Sequence, residues 1–215
     1  MVTNLKNKKV IITAGPTWVK LDSVRIISNT ASGLTGILLA EKFCRLGAKV
    51  TLLLGHVCNF SLNSRIRLIR FKFFDEFNSV IKKELSLKKY DWAIHSAAVS
   101  DYKPAVLYKR KLGSGLKNLR ISFKPTPKII NTFKRMQPGI SLVAFKFEPD
   151  ASEKILVSEA RKLIWSSRAS FVIANTLKKD KYSAYLVSAD KSCGPVFTRN
   201  CLADSLIDAI KKYDA

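Results

Sequence analysis

Residues 9–16 read K-V-I-I-T-A-G-P, residues 33–47 read G-L-T-G-I-L-L-A-E-K-F-C-R-L-G, and residues 49–55 read K-V-T-L-L-L-G. The first and last are short apolar runs closed by glycine, the pattern of strands buried on both faces. Between them Ile37, Leu38, Leu39, Ala40, Phe43 and Leu46 recur at roughly helical spacing, and Gly47 supplies a C-terminal stop. Working outward, Ile66–Phe71, Asp91–Ser96, Ser141–Phe147 and Ser170–Ala174 read as further strands. Glu76–Leu87 and Ala151–Ser166 read as helices, Ala184–Ser188 with Pro195–Thr198 as a closing hairpin, and Cys201–Lys212 as the last helix. Strands alternating with helices predict an α/β fold: a Rossmann-like, doubly wound, mostly parallel sheet with a small C-terminal hairpin and helix. Such sheets hold their ligands beyond the C-terminal ends of the strands. Those ends here carry Gly15, Gly55, Ser96–Asp101 and Phe145–Glu148.

The chain has 215 residues, enough for one domain with its own core, and 47% of them are hydrophobic, which excludes intrinsic disorder. Thirty-eight Lys and Arg stand against 16 Asp and Glu, a formal charge of +22. That excess points to anionic partners such as phosphorylated metabolites, nucleotides or nucleic acid, and is equally what a general bias toward lysine would leave. No apolar run reaches the length of a membrane span, and the polar start, Met1–Lys9, lacks the apolar region of a signal peptide. Cys44, Cys58, Cys193 and Cys201 form no C-x-x-C pair, and the only histidines are His56 and His95, so a structural zinc site is not expected. Dispersed free thiols fit a reducing cytoplasm.

The first strand-to-helix connection lacks G-x-G-x-x-G; Gly33 and Gly36 instead open the helix. A helix opening of this kind offers backbone N–H groups to an anion, or is simply capped by Ser32 with close helix–sheet packing at Gly36. The polar connector from Gly15 to Ser32 reads as irregular and is long for a turn, which favours a substrate loop slightly; in it Asp22 and Arg25 can pair with each other and Asn29 can be a turn residue. After the fourth strand, the small residues Ser96, Ala97 and Ala98 let a flat ligand approach the backbone. From Tyr102 to Phe147, 46 residues, there is no acid and there are 11 Lys or Arg. Within this segment lies K-R-K-L-G-S-G-L-K, residues 109–117, a glycine-hinged basic loop able to close over a triphosphate. A solvated basic face or a nucleic-acid grip is the alternative, but the segment has few aromatics for base stacking. Phe145 in F-K-F-E can stack on a base, although a core role is its default. His95 on an apolar strand has no evident triad partner.

In chain order, I-T-A-G-P-T (12–17), D-S-V-R-I-I-S-N-T-A-S-G (22–33), S-A-A-V-S-D-Y-K-P (96–104), K-L-G-S-G (111–115), P-T-P-K-I (125–129), F-K-F-E (145–148) and I-A-N (173–175) resemble the phosphopantothenate–cysteine ligase family, also called phosphopantothenoylcysteine synthetase, of coenzyme A biosynthesis. The resemblance runs from about Lys9 to the last helix. It implies one ligase domain over residues 1–215, with no flavin decarboxylase domain before it. It implies that 4'-phosphopantothenate attacks the α-phosphate of a nucleoside triphosphate, and that L-cysteine then attacks the acyl-nucleotidylate. Mg2+ would offset the triphosphate charge, and a homodimer would complete each site. The resemblance places Asn29 on the asparagine that holds the acyl intermediate and Lys111 on the lysine that forms the acyl-nucleotidylate. It assigns His95, Ser96, Ala97, Asp101, Lys111, Pro127, Lys128, Ile129, Ile130 and Phe145 to the nucleotide, and Gly15, Asp22, Arg25, Asn29 and Ala31 to the substrate loop.

The chain departs from the family pattern where Gly113 and Leu34 stand for lysines and where Lys128 stands for the aspartate of P-D-I. Arg110 and Lys117 are candidates to restore the loop charge, and Lys162 and Arg168 for two lysines on the helix before I-A-N. Bacterial members use CTP and eukaryotic ones ATP; the expectation here is CTP, with ATP as the alternative. The rival classes are an NAD(P)-binding reductase, opposed by the missing fingerprint, and a non-catalytic nucleic-acid binder.

Overall fold

The computed structural model describes residues 5–115 and 117–214. Met1–Asn4 of the polar start and Leu116 of the basic loop lie outside the described residues. The elements are β1 (Lys9–Ala14), β2 (Trp18–Lys20), β3 (Ile26–Ser28), α1 (Leu34–Arg45), β4 (Lys49–Leu54), β5 (Arg67–Arg70), α2 (Phe74–Leu87), β6 (Trp92–His95), β7 (Tyr102–Pro104), β8 (Phe123–Pro125), α3 (Ile130–Met136), β9 (Ser141–Phe147), α4 (Glu153–Ser167), β10 (Phe171–Lys178), β11 (Lys181–Val187), β12 (Ser192–Val196) and α5 (Arg199–Tyr213).

One eight-stranded sheet runs β12-β11-β10-β9-β6-β1-β4-β5. The six strands from β10 to β5 are parallel to their neighbours, and β11 and β12 are antiparallel. Counted along the chain, the parallel strands lie in the order 3-2-1-4-5-6. The order therefore reverses between β1 and β6, and that reversal is where a doubly wound sheet opens a crevice. Ile12 sits at the centre, level with Leu52 on one side and Ile94 on the other.

Two apolar layers hold the sheet. On one face α1 and α5 cover Val10, Ile12, Leu52 and Ile94. On the other α2, α3 and α4 cover Ile11, Leu53, Ala93 and Leu142. Both faces of β1 and β4 are buried after their first residue, which is why their sequences are continuous apolar runs. No helix among the described residues is long and apolar enough to cross a membrane.

Three differences from the sequence expectations have physical causes. The connector before α1 contains an antiparallel hairpin, with Trp18 opposite Ser28 and Lys20 opposite Ile26, and a second short pair joins β7 to β8. Strands of three residues carry too little alternation to be read as strands, and β3 and β8 are exposed throughout. Helix α3 is seven residues long and has no side-chain cap, so it leaves no start signal. The closing hairpin extends to a meander, because β10 continues to Lys178 and pairs with β11 through Lys178–Lys181.

Candidate functional site

The end of β1 is built for backbone to meet backbone. Gly15 adopts a left-handed φ of +79°, and a Cβ there would lie 3.2 Å from Gly55 Cα and N. A Cβ on Gly36 would fall 2.4 Å from Ala14 Cβ and 2.7 Å from Ser96 Oγ. The glycines let α1 press onto β1 and let the turns after β1 and β4 meet backbone to backbone, with the Val57 methyl packed over Gly15 and Gly33. Gly33, also left-handed, is the residue that caps α1; the Ser32 hydroxyl accepts from Leu34 N–H at 3.4 Å but is not the cap residue.

The chain after β6 is zipped onto the turn after β1. Ala98 N donates to Gly15 O (3.0 Å) and Thr17 N to Ala98 O (3.1 Å). Buried hydroxyls continue the seam: Ser100 N donates to Thr17 Oγ1 (2.9 Å) and Thr126 Oγ1 to Ser100 O (2.6 Å). Thr126 N also donates to Asp101 O at 2.9 Å, which ties β8 and the Pro127–Ile130 segment to the end of the strand. Thr17, Ser100 and Thr126 were not among the residues singled out from the sequence; each sits beside a proline or aspartate in a quoted motif, which was the available signal.

Asn29 lies just past β3, and its Nδ2 donates to Val99 O at 3.2 Å. Ala31 N bonds back to Asn29 O at 3.1 Å. Gly15, Asn29 and Ala31, which the resemblance assigns to a substrate loop, are thus gathered at the tail of β6. Asp22 and Arg25 reach further. The Asp22 side chain is fully buried and accepts from Val24 N (2.9 Å), Arg25 N (2.7 Å) and Leu112 N (3.0 Å), while Arg25 Nη2 donates to Leu112 O (3.2 Å). This pair therefore clips the basic loop at the residue after Lys111. Burial acts to raise the Asp22 pKa, but the Val24, Leu112 and Arg25 N–H groups and the Arg25 charge outweigh it and hold the carboxyl below its usual value.

Asp101 and Lys128 are both exposed and pair at 2.7 Å. The lysine that departs from P-D-I thus neutralises the acid at the end of the S-D-Y motif. Pro127 is exposed, Ile129 is buried and Ile130 half-buried at the start of α3. Lys111, Arg110 and Lys117 are exposed. Open space surrounds Gly113, so sterics do not explain why a lysine is absent there.

His95 is buried. Its Nδ1 lies 2.7 Å from Thr13 Oγ1, and its ring stacks against Phe77 and tilts against Phe133. Burial pushes its pKa down to about 4, so the imidazole is neutral near pH 7 and braces the strand end. Ser96 Oγ donates to Thr13 O at 2.7 Å, and Ala97 N to Thr13 Oγ1 at 3.4 Å. Phe145, one strand over, is half-buried against the α1/α5 core. Lys146 points to the other face and pairs with Glu148 at 2.9 Å. Of the two candidates on α4, Lys162 is engaged by Glu159 at 2.6 Å. Arg168 caps the C-terminus of α4, just before β10 begins, so it stands at the end of the sheet opposite the crevice. The helix runs antiparallel to its strands, and a position on its last turn cannot serve a site above its first.

Magnesium travels with a triphosphate and needs only one or two protein carboxylates beside the phosphate oxygens. Among the described residues no group of three His, Cys, Asp or Glu converges.

Fold and site define a doubly wound α/β protein whose switch point is packed through glycines and joined, by way of the β2–β3 hairpin, to a clipped basic loop. The chain belongs to the family described as DNA/pantothenate metabolism flavoprotein C-terminal domain, whose pattern it matches over residues 5–213. It is 38% identical over 215 residues to the coenzyme A biosynthesis bifunctional protein CoaBC of Thermococcus kodakarensis, covering 97% of this chain and 52% of that protein. It is 28% identical to the CoaBC of Methanocaldococcus jannaschii, with 97% and 52% covered. The chain thus spans about half the length of these curated relatives. Its fold matches the crystal structure of the DNA/pantothenate metabolism flavoprotein from Streptococcus pneumoniae with a TM-score of 0.85 and 27% identity, covering 96% of this chain and 99% of that one. A Cab2 mutant in complex with phosphopantothenate-cysteine shares the fold with a TM-score of 0.79 at 20% identity, covering 97% and 88%.

Proposed function

We propose that this chain, acting as one ligase domain, joins 4'-phosphopantothenate to L-cysteine at the switch-point crevice at the expense of a nucleoside triphosphate, CTP in the first instance. The observation that carries the reading is the clip from Asp22 and Arg25 to Leu112, which fixes the neighbour of Lys111 to the substrate hairpin. In the first step a carboxylate oxygen of phosphopantothenate bonds to the α-phosphorus and the bond to the β-phosphate oxygen breaks, releasing pyrophosphate. An anion attacking a polyanion needs fixed positive charge, and Lys111 would supply it. In the second step the cysteine amine bonds to the acyl carbon, the acyl–phosphate bond breaks, and nucleoside monophosphate leaves with the amine's proton lost. Asn29, held on Val99 O, would orient the acyl group. Ser96 and Ala97 would flank the nucleoside, and Asp101 would meet the magnesium that accompanies the triphosphate.

A cavity of about 470 Å³ lies beside the crevice, lined by Trp18, Lys20, Phe73, Lys103 and Lys124 among others. Its aromatic walls and lysines suit a flexible amide chain that ends in phosphate. Exposed Val24, Ile26, Ile27, Val106, Leu107 and Phe123 on the two arms support assembly of a homodimer through them. The reading places the enzyme in the cytoplasm, where its substrates are made.

The test is pyrophosphate release from 4'-phosphopantothenate, cysteine and Mg2+, with CTP and ATP supplied separately and the product identified by mass. Release that requires phosphopantothenate is expected, with Lys111→Ala inactive but folded. With Asn29→Ala, single turnover should accumulate the acyl-nucleotidylate. Folded protein that is silent with both nucleotides overturns the proposal.

A further inference from the structure

A second cavity, of about 530 Å³, opens at the other end of the sheet, where β1, β4 and β5 begin. Its lining includes Lys9, Lys49, Arg65, Arg67 and Lys88, with Tyr90 beneath them. Five of its eleven lining residues are cationic and none is acidic, whereas Lys and Arg are 38 of the chain's 215 residues. The concentration of charge is therefore well above the general bias of the chain.

The cavity is also braced. Glu84, buried on α2, lies behind it and binds the Arg67 guanidinium, accepts from the Tyr90 hydroxyl, and stands 3.7 Å from Lys88 Nζ. Tyr90 is fixed further by its contact with Thr51 Oγ1 at 3.1 Å. Glu84 thus orients two of the cations, and a second carboxylate, Asp91, accepts from Lys9 N at 2.7 Å; the five cations still outnumber the two acids. Among the described residues the side chains of Lys9, Lys49 and Arg65 meet no carboxylate; Arg65 Nε contacts only the Asn63 amide oxygen. Two cations already oriented by Glu84, beside three whose side chains no carboxylate engages, give a compact polyanion a concave site where part of the side-chain ordering is done before it binds.

We infer that this cavity is a second binding site, separate from the crevice, for a small molecule carrying a pyrophosphate group. A diphosphate matches the net charge left after Glu84 and Asp91 are counted better than a single phosphate does, and the volume admits it either free or on a nucleoside. Nothing in the ligation reaction uses this end of the sheet, so the site stands whether or not the chain is a ligase.

The experiment is a backbone-amide NMR titration of the whole chain at 150 mM salt with inorganic pyrophosphate, ADP and inorganic phosphate in separate arms. Expected are saturable shifts at residues 47–51 and 65–67 that persist in Lys111→Ala, with phosphate weakest. Pyrophosphate acting as well as ADP assigns the free anion; ADP alone assigns the nucleotide. Lys49→Glu/Arg65→Glu should weaken the binding at least about tenfold. Lys178→Glu/Lys181→Glu, an equal charge change at the β10–β11 turn, should alter it less than about twofold. The milder Lys49→Ala/Arg65→Ala keeps the test valid if the reversal impairs folding. Equal weakening by both reversals, shifts confined to residues 15–17 and 96–101, or no saturable shift at all would each overturn the inference.

Discussion

Replacing Gly36 by alanine sets two effects of known size against each other. In a helix interior alanine is favoured over glycine by about 1 kcal/mol. Against that, the new methyl would sit 2.4 Å from Ala14 Cβ and 2.7 Å from Ser96 Oγ. Ala14 is fully buried in β1, and Ser96 is held to Thr13 O, so neither yields cheaply. Helix α1 must move outward by about 1 Å, and overpacking of this kind costs about 1–3 kcal/mol. With so close a contact the upper end applies, leaving a net loss of about 2 kcal/mol, or about 4–8 °C in Tm for a chain of this size. Thermal melts and urea titration of Gly36→Ala measure this directly. Gly139→Ala, where nothing lies within 4 Å of the new methyl, is the control and should stay within about 0.5 kcal/mol. Because Ser96 stands at the end of β6, where the nucleoside is proposed to lie, the variant should also lose activity by about a hundredfold. A Tm that rises in Gly36→Ala would refute the reasoning, since it would mean that α1 is free to shift and propensity decides.

His95 has a folded-state pKa near 4 against about 6.5 unfolded, so the unfolded chain binds more protons between those values and stability falls as pH falls from 6.5 to 4. Urea titrations should show a loss of about 3 kcal/mol across that window, absent in His95→Gln. Asp22 titrates in the opposite sense: its folded pKa is depressed, so its clip on Leu112 is intact above the ordinary carboxylate range and is released only as pH drops below it. Asp22→Ala should lower kcat at least about tenfold at pH 7 by freeing the Lys111 neighbourhood, with Asp22→Asn retaining part of the rate. Lys128→Asp should change stability by less than about 0.5 kcal/mol, since the pair with Asp101 is exposed, yet raise the triphosphate KM most at low Mg2+, where two carboxylates are left to repel it.

The frame of the fold was legible because β1, β4 and β9 are apolar runs whose limits are marked by glycine, lysine or serine; the structure places all three at the residues expected. The arms were not, because three-residue strands are held by two or three backbone pairs and by docking onto the β6 tail rather than by any pattern of their own. In the candidate site, roles for Asn29 and Asp101 come only from the resemblance, whereas the loop that carries Lys111 stands out by its charge and glycines alone. Asp22 and Arg25 were seen as each other's partners, and that pairing exists at 3.2 Å. Their grip on Leu112, 87 residues along from Arg25, was invisible because a hydrogen bond to a backbone group carries no sequence preference. The same holds for Thr17 and Ser100, whose hydroxyls close the seam between two loops that sequence proximity never joins.

The clip at Leu112 has a consequence in effective concentration. Lys111 is one residue from the pinned point, so its ammonium explores a sphere of about 10 Å radius, the sum of one Cα–Cα step and the length of the side chain. One group in that volume corresponds to about 0.4 M. A lysine midway along an unpinned loop from Pro104 to Phe123 would wander over about 17 Å, diluting it about fivefold. The carboxylate of Asp22 thus concentrates a charge that it never touches.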